Sequence, residues 1–181
     1  MKNIYLISFF LLALLPFKGF EKPKLIGTNK QLIVGDAMPA FTLFDQDGKA
    51  FNSIDYIGKK ILVVYFYPKD ESMVCTKEAC SFRDNFDAFV KNGAMVVGIN
   101  GGSVASHKSF HDHYKLPFTL LSDPNDKVYH LFGISNVLFM TGRKTFVIDL
   151  KGKIAFIYEG IMQGVQHVDG ALNFIKKNQA K

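Results

Sequence analysis

Cys75 and Cys80 are the only thiols of this chain, and both fall within one stretch, 65–84, that reads YFYPKDESMVCTKEACSFRD. A thiol is the softest nucleophile among the side chains, and two in one segment can cycle between dithiol and disulfide. Any such chemistry must therefore happen here. Cys75 follows a run of apolar and aromatic residues at 61–67 and precedes Ala79, Phe82, Phe86 and Phe89, spaced three or four apart. The run reads as a strand buried on both faces, which Pro68 ends, and the spacing predicts a helix with one apolar stripe. Cys75 is thus expected in the first turn of a helix that follows a buried strand. Unpaired N–H groups and the helix dipole at such a place favour thiolate over thiol.

The spacing of the two cysteines carries a second expectation. Five residues along an intact helix advance roughly 7.5 Å and turn about 500°, so the side chains diverge. A disulfide asks for Cα atoms about 4.4–6.8 Å apart with converging Cβ vectors. Cys75 and Cys80 can bond only if the helix locally unwinds. Other readings stand beside this one: either cysteine as a small buried hydrophobe, or the pair as a structural disulfide.

The remaining elements follow in order. Residues 41–44 before Asp47 and Gly48 suggest a strand and turn, and an apolar strand at 94–99 completes a β-α-β unit with the cysteine helix. Ser103 is a plausible N-cap for a helix to about Tyr114, which Pro117 stops. A short strand at 118–121 and a helix at 124–132, capped by Ser122 or Asp123, come next. Residues 144–149 and 154–158 read as a hairpin, and 165–177 as a closing amphipathic helix. Strands alternating with helices, then a hairpin and a last helix, predict an α/β, thioredoxin-like fold: a central mixed sheet flanked by helices.

The cysteine segment resembles the active site of the peroxiredoxins, whose signature Pro, three residues, Thr or Ser, two residues, Cys is met by Pro68, Ser72 and Cys75. It is most similar to the peroxiredoxin Q type, also called bacterioferritin comigratory protein, in which F-Y-P-K-D is followed by C-T-x-E-A-C-x-F-R-D. The likeness continues through Ser106-His107, LPFTLLSDP from Leu116, GRKTFVID from Gly142 and HVDGALNFI from His167, and covers 33–175. Where that type has Thr-Pro-Gly before the cysteine, this chain has Ser72, Met73 and Val74. Ser72 keeps the hydroxyl, whereas Val74 strongly disfavours a positive φ.

The resemblance implies a thiol-dependent peroxidase of the antioxidant kind. Cys75 would attack hydrogen peroxide or an alkyl hydroperoxide, and Cys80 would resolve the sulfenic acid as an intramolecular disulfide. A thioredoxin-like protein would reduce that disulfide, with no metal or organic cofactor. It further implies Arg143 beside the nucleophile, Ser72 bonding the thiolate or peroxide, Pro68 shielding the site and Glu78 positioning an arginine. A monomer or weak dimer is expected.

Composition bounds the rest. At 181 residues, with 48% hydrophobic and 21% charged content, the chain suits one globular domain. Its net charge of +6 comes from scattered lysines, with no basic block interleaved with aromatics, which argues against nucleic acid as a partner. Residues 1–24 differ: Lys2 precedes an apolar run at 4–17 too short to span a membrane. That pattern predicts a secretory signal, or a retained anchor as the only membrane contact, and so an exported protein, periplasmic or otherwise extracytoplasmic. A linker at 25–32 and a catalytic domain at 33–178 complete the expected organisation.

His107, His111 and His113 share one predicted helix, where an i, i+4 pair can bind metal, but no carboxylate motif supports them and a solvated face is the expectation. Two rival functions remain. A thiol-disulfide oxidoreductase acting on proteins would normally carry Cys-x-x-Cys, and four residues separate the cysteines here. A copper-binding module on the same fold would normally carry Cys-x-x-x-Cys-Pro, which is absent.

Overall fold

The computed structural model describes residues 31–136 and 141–179, so the N-terminal segment read as a signal or anchor lies outside the described residues. Seven strands form one mixed sheet: β1 (Thr42–Asp45), β2 (Ala50–Asn52), β3 (Ile61–Phe66), β4 (Ala94–Asn100), β5 (Thr119–Ser122), β6 (Lys144–Ile148) and β7 (Ile154–Glu159). Their order is β2-β1-β5-β4-β3-β6-β7. The central strands β3, β4 and β5 run parallel, and antiparallel pairs flank them on either side. The helices are α1 (Met73–Asp84), α2 (Phe86–Lys91), α3 (Val104–Tyr114), α4 (Lys127–Leu131) and α5 (Gly164–Gln179). This is the expected thioredoxin-like architecture.

Successive side chains of a strand point to opposite faces, and β3 shows what that does here. Val63, Tyr65 and Tyr67 enter one core with Phe82, Phe89, Phe110 and Val168, from α1, α2, α3 and α5. Leu62, Val64 and Phe66 enter the other, with Phe41, Val128 and Phe132. Both faces of β3 are therefore dry, which is why its sequence is apolar without alternation.

Several boundaries differ from expectation. The apolar stripe at 79–89 does not lie on one helix: Asn85 interrupts it, its side-chain amide and its backbone N–H both reaching the Ser81 carbonyl, so the stripe is shared by α1 and α2. The helix expected from residue 124 begins only at Lys127, and the Asp123 carboxylate accepts from the N–H groups of Val128 and Tyr129. The short β2 and a 3-10 turn at Ser53–Tyr56 carried too few residues to show a period. Val74 sits inside α1, where no positive φ is required of it; the left-handed residue of this loop is Glu71, at φ 58°.

His107 corrects the expectation of a solvated histidine face. It is fully buried, whereas His113 on the same helix is exposed. The helix turns one ring into the protein and leaves the other in water.

Candidate active site

Strand β3 ends in the middle of the sheet, and the chain turns through Pro68 and Ser72 into α1 at the C-terminal edge of the parallel strands, where open α/β sheets present their crevice. Ser72 is the N-cap residue in extended conformation, though its hydroxyl makes no capping hydrogen bond. Cys75 is the third residue of α1 and only 1% exposed. Cys80 is half-buried on the same unbroken helix, and neither cysteine is in a disulfide.

Arg143 reaches this helix from the residue before β6, whose first residue pairs with the last of β3. Its guanidinium serves three acceptors: Nη2 donates to the Cys75 Sγ at 3.0 Å, Nη1 donates to the Glu78 carboxylate, and Nε donates to the Ile161 carbonyl at 2.9 Å. Glu78 stands one turn beyond Cys75 on the same face of α1, so a single planar fork spans both side chains. All three are sealed from solvent. A charged donor this close to sulfur stabilises negative charge on it, and more so where water is excluded. Burial pushes the Glu78 carboxyl up to about 8 against the pull of Arg143, and its Oε1 has no hydrogen-bond partner. Pro68 lines, with Asp70, Asn100 and Ser106, a cavity of about 400 Å³ on the α3 side of the loop.

His167 on α5 was not singled out from the sequence, and it supports the arginine from behind. Its Nε2 donates to the Gly160 carbonyl at 2.8 Å, while Nδ1 accepts from the Thr145 hydroxyl at 2.9 Å and lies 3.9 Å from Glu78. Gly160 and Ile161 form the turn after β7, so one carbonyl of the turn is held by His167 and the next by Arg143. Burial, with the nearby Arg143 charge, pushes His167 down to about 4, and the ring is neutral at neutral pH. A base whose folded value lies below its unfolded one contributes stability that is complete above about 6.5 and is lost as pH falls toward 4. The thermal midpoint of His167→Gln is expected to depend less on pH than the parent's across that window, where the ring accounts for up to about 3 kcal/mol. Parallel curves in thermal scans would refute it.

The start of α5 is pressed onto α1: a Cβ on Gly164 would lie 2.9 Å from the Val74 carbonyl oxygen and 3.0 Å from the Glu78 Cβ. The sequence offered one cue to this wall, the HVDGAL segment, without assigning His167 a role.

The chain matches the model of the AhpC/TSA family over residues 34–157. It is 48% identical over 144 residues to chloroplastic peroxiredoxin Q of Populus jackii, covering 78% of this chain and 67% of that protein. Among solved structures it is similar to the peroxidoxin BcpB of Mycobacterium tuberculosis, with a TM-score of 0.75 and 31% identity over 80% of this chain and 96% of that one. It is also similar to the bacterioferritin comigratory protein of Xanthomonas campestris, whose alkyl peroxide reduction activity was studied in trapped intermediate and ligand complexes; there the TM-score is 0.72, with 25% identity over 79% and 99% of the two chains. The Populus protein, like others of the same name, is chloroplastic, and this overturns the expectation of periplasmic export. The chain belongs to the AhpC/TSA family, as a thiol peroxidase of the peroxiredoxin Q kind.

Proposed function

We propose that Cys75 is the peroxidatic nucleophile and Cys80 the resolving thiol of an antioxidant peroxidase acting on hydrogen peroxide and alkyl hydroperoxides. The observation that carries this reading is the Arg143 fork, which joins the Cys75 sulfur to Glu78 in a dry pocket. The Cys75 thiolate attacks the distal oxygen, two electrons pass from sulfur into the O–O bond, and hydroxide or alkoxide leaves and takes up a proton. The sulfur is left as a sulfenic acid. Arg143 holds the thiolate and the peroxide oxygens, Glu78 orients Arg143, Ser72 bonds the reacting oxygens and Pro68 keeps water out.

The first turn of α1 then unwinds, and the Cys80 thiol condenses with the sulfenic acid to give a disulfide and water. A thioredoxin-like dithiol restores both thiols and is itself oxidised. No cofactor takes part. We further read 33–178 as one catalytic domain behind a leader at 1–24 and a linker at 25–32, acting as a monomer or weak dimer. A plastid address, by analogy with the chloroplastic relatives, replaces the periplasmic one.

Cys80→Ser tests the division of labour. It is expected to consume one equivalent of peroxide and stop, leaving a sulfenic acid that dimedone traps and intact mass detects. Sustained turnover with a dithiol protein, or no trapped adduct, would refute the resolving role.

A further inference from the structure

Asp70 lies in the loop between β3 and α1, five residues before Cys75, and is 6% exposed. Its carboxylate accepts four hydrogen bonds. Oδ1 takes the Tyr67 hydroxyl at 2.8 Å and the Asn100 side-chain amide, at the end of β4, at 3.0 Å. Oδ2 takes the Ser106 hydroxyl at 2.6 Å and His107 Nδ1 at 2.9 Å, both from α3. The other ring nitrogen of His107, Nε2, lies 3.1 Å from the Leu121 carbonyl oxygen. Carboxylate and carbonyl oxygens only accept, so each ring nitrogen of His107 stands where a donor is called for, one against Asp70 and one against Leu121. Burial acts to raise the Asp70 carboxyl, but the hydrogen bonds from His107 and Ser106 outweigh it and hold it at about 2.

The cluster leaves no slack. A Cβ added to Gly102 would fall 2.7 Å from Asn100 Oδ1, 2.9 Å from His107 Cε1 and 3.1 Å from Asp70 Oδ2. The next residue is held quite differently. Glu71, in its left-handed conformation, is bound by His113 and the Tyr114 hydroxyl, each at 3.0 Å, on the exposed end of α3. The loop thus has a deep anchor at residue 70, an exposed tie at 71, and then the turn that carries Cys75. Exposed ion pairs of this kind contribute little, so the firm attachment is the buried one.

We infer that Asp70 is a positioning residue: its buried pairing with His107 fastens the β3–α1 loop to α3, holds Cys75 in place beside Arg143, and sets how readily the first turn of α1 opens toward Cys80. The last clause rests on the resolving role assigned to Cys80 above. None of the four donors hydrogen-bonds the sulfur, so the effect is transmitted through the backbone between Asp70 and Cys75.

The test uses Asp70→Asn in the full chain, which keeps the shape but turns an amide NH2 toward groups that donate. Two rates are read in single-turnover stopped flow: the second-order constant for peroxide, and the rate of disulfide formation after one equivalent. Loosening the anchor is expected to lower the first about tenfold, through misplacement of the sulfur. The same change is expected to raise the second several-fold, through easier local opening. A merely structural residue would not drive the two in opposite directions. Ser106→Ala, which removes one of the four bonds, should give the same split on a smaller scale, and serves if Asp70→Asn does not fold. Two rates that both hold or both fall would overturn the inference. Should intact mass show no disulfide in the parent protein, the Cys80 assignment fails instead. The peroxide constant then decides alone: a tenfold loss at an unchanged melting temperature supports positioning, and an unchanged constant refutes it.

Discussion

Cys75→Ser is expected to abolish reductant-linked peroxide consumption, a loss of roughly three orders of magnitude or more, because an un-ionised hydroxyl replaces the attacking sulfur. The substitution is nearly isosteric at a position only 1% exposed, so the helix and the pocket should persist. Arg143 would still be bound by Glu78 and the Ile161 carbonyl. Near-UV circular dichroism can verify that packing before rates are compared. The variant also retains Cys80, which makes it a control: if the half-buried thiol could attack peroxide by itself, turnover would survive. Activity within tenfold of the parent would therefore remove Cys75 from the chemistry and leave the Arg143 contact without a catalytic purpose.

The fold was legible where burial imposed a period. Strand β3 is apolar at every position because its two faces feed two separate cores, and α5 shows its stripe because only one face meets the sheet. It was less legible where one polar side chain overrules a pattern. Asn85 stops α1 in the middle of an otherwise continuous stripe, and the Asp123 carboxylate engages N–H groups that would have belonged to an earlier helix start. Such captures depend on where a side chain points, which hydrophobic spacing does not encode.

The site divides in the same way. A thiol at a strand-to-helix junction could be seen in the local sequence, since it needs only a strand, a proline and a stripe. Arg143 could not: it lies 68 positions from Cys75, and a lone arginine before a strand looks like any surface residue until the resemblance singles it out. His107 was misjudged because its neighbours His111 and His113 are polar-face residues. Its burial comes from Asp70, 37 positions away, which supplies the partner that a buried imidazole requires.

Arg143→Met should lower the second-order constant for peroxide by about a hundredfold, since it deletes the charged donor at the sulfur while keeping a side chain of similar length. Arg143→Lys is expected to recover little of this. An ammonium is a point charge, and it cannot serve the sulfur, the Glu78 carboxylate and the Ile161 carbonyl from one planar fork. Removing the arginine also leaves the buried Glu78 carboxyl, already pushed up to about 8, without the donor that Arg143 supplies, and this should destabilise the protein on the order of 2 kcal/mol. The two consequences can be separated. Adding Glu78→Leu to Arg143→Met removes the buried carboxyl, so the denaturation midpoint should move back toward the parent while the peroxide constant stays low. If the double variant regained its rate together with its stability, Arg143 would be acting only to satisfy the Glu78 carboxyl. A rate that stays low in a restabilised protein leaves the contact of the guanidinium with the Cys75 sulfur, not its contact with Glu78, as the one that speeds attack on peroxide.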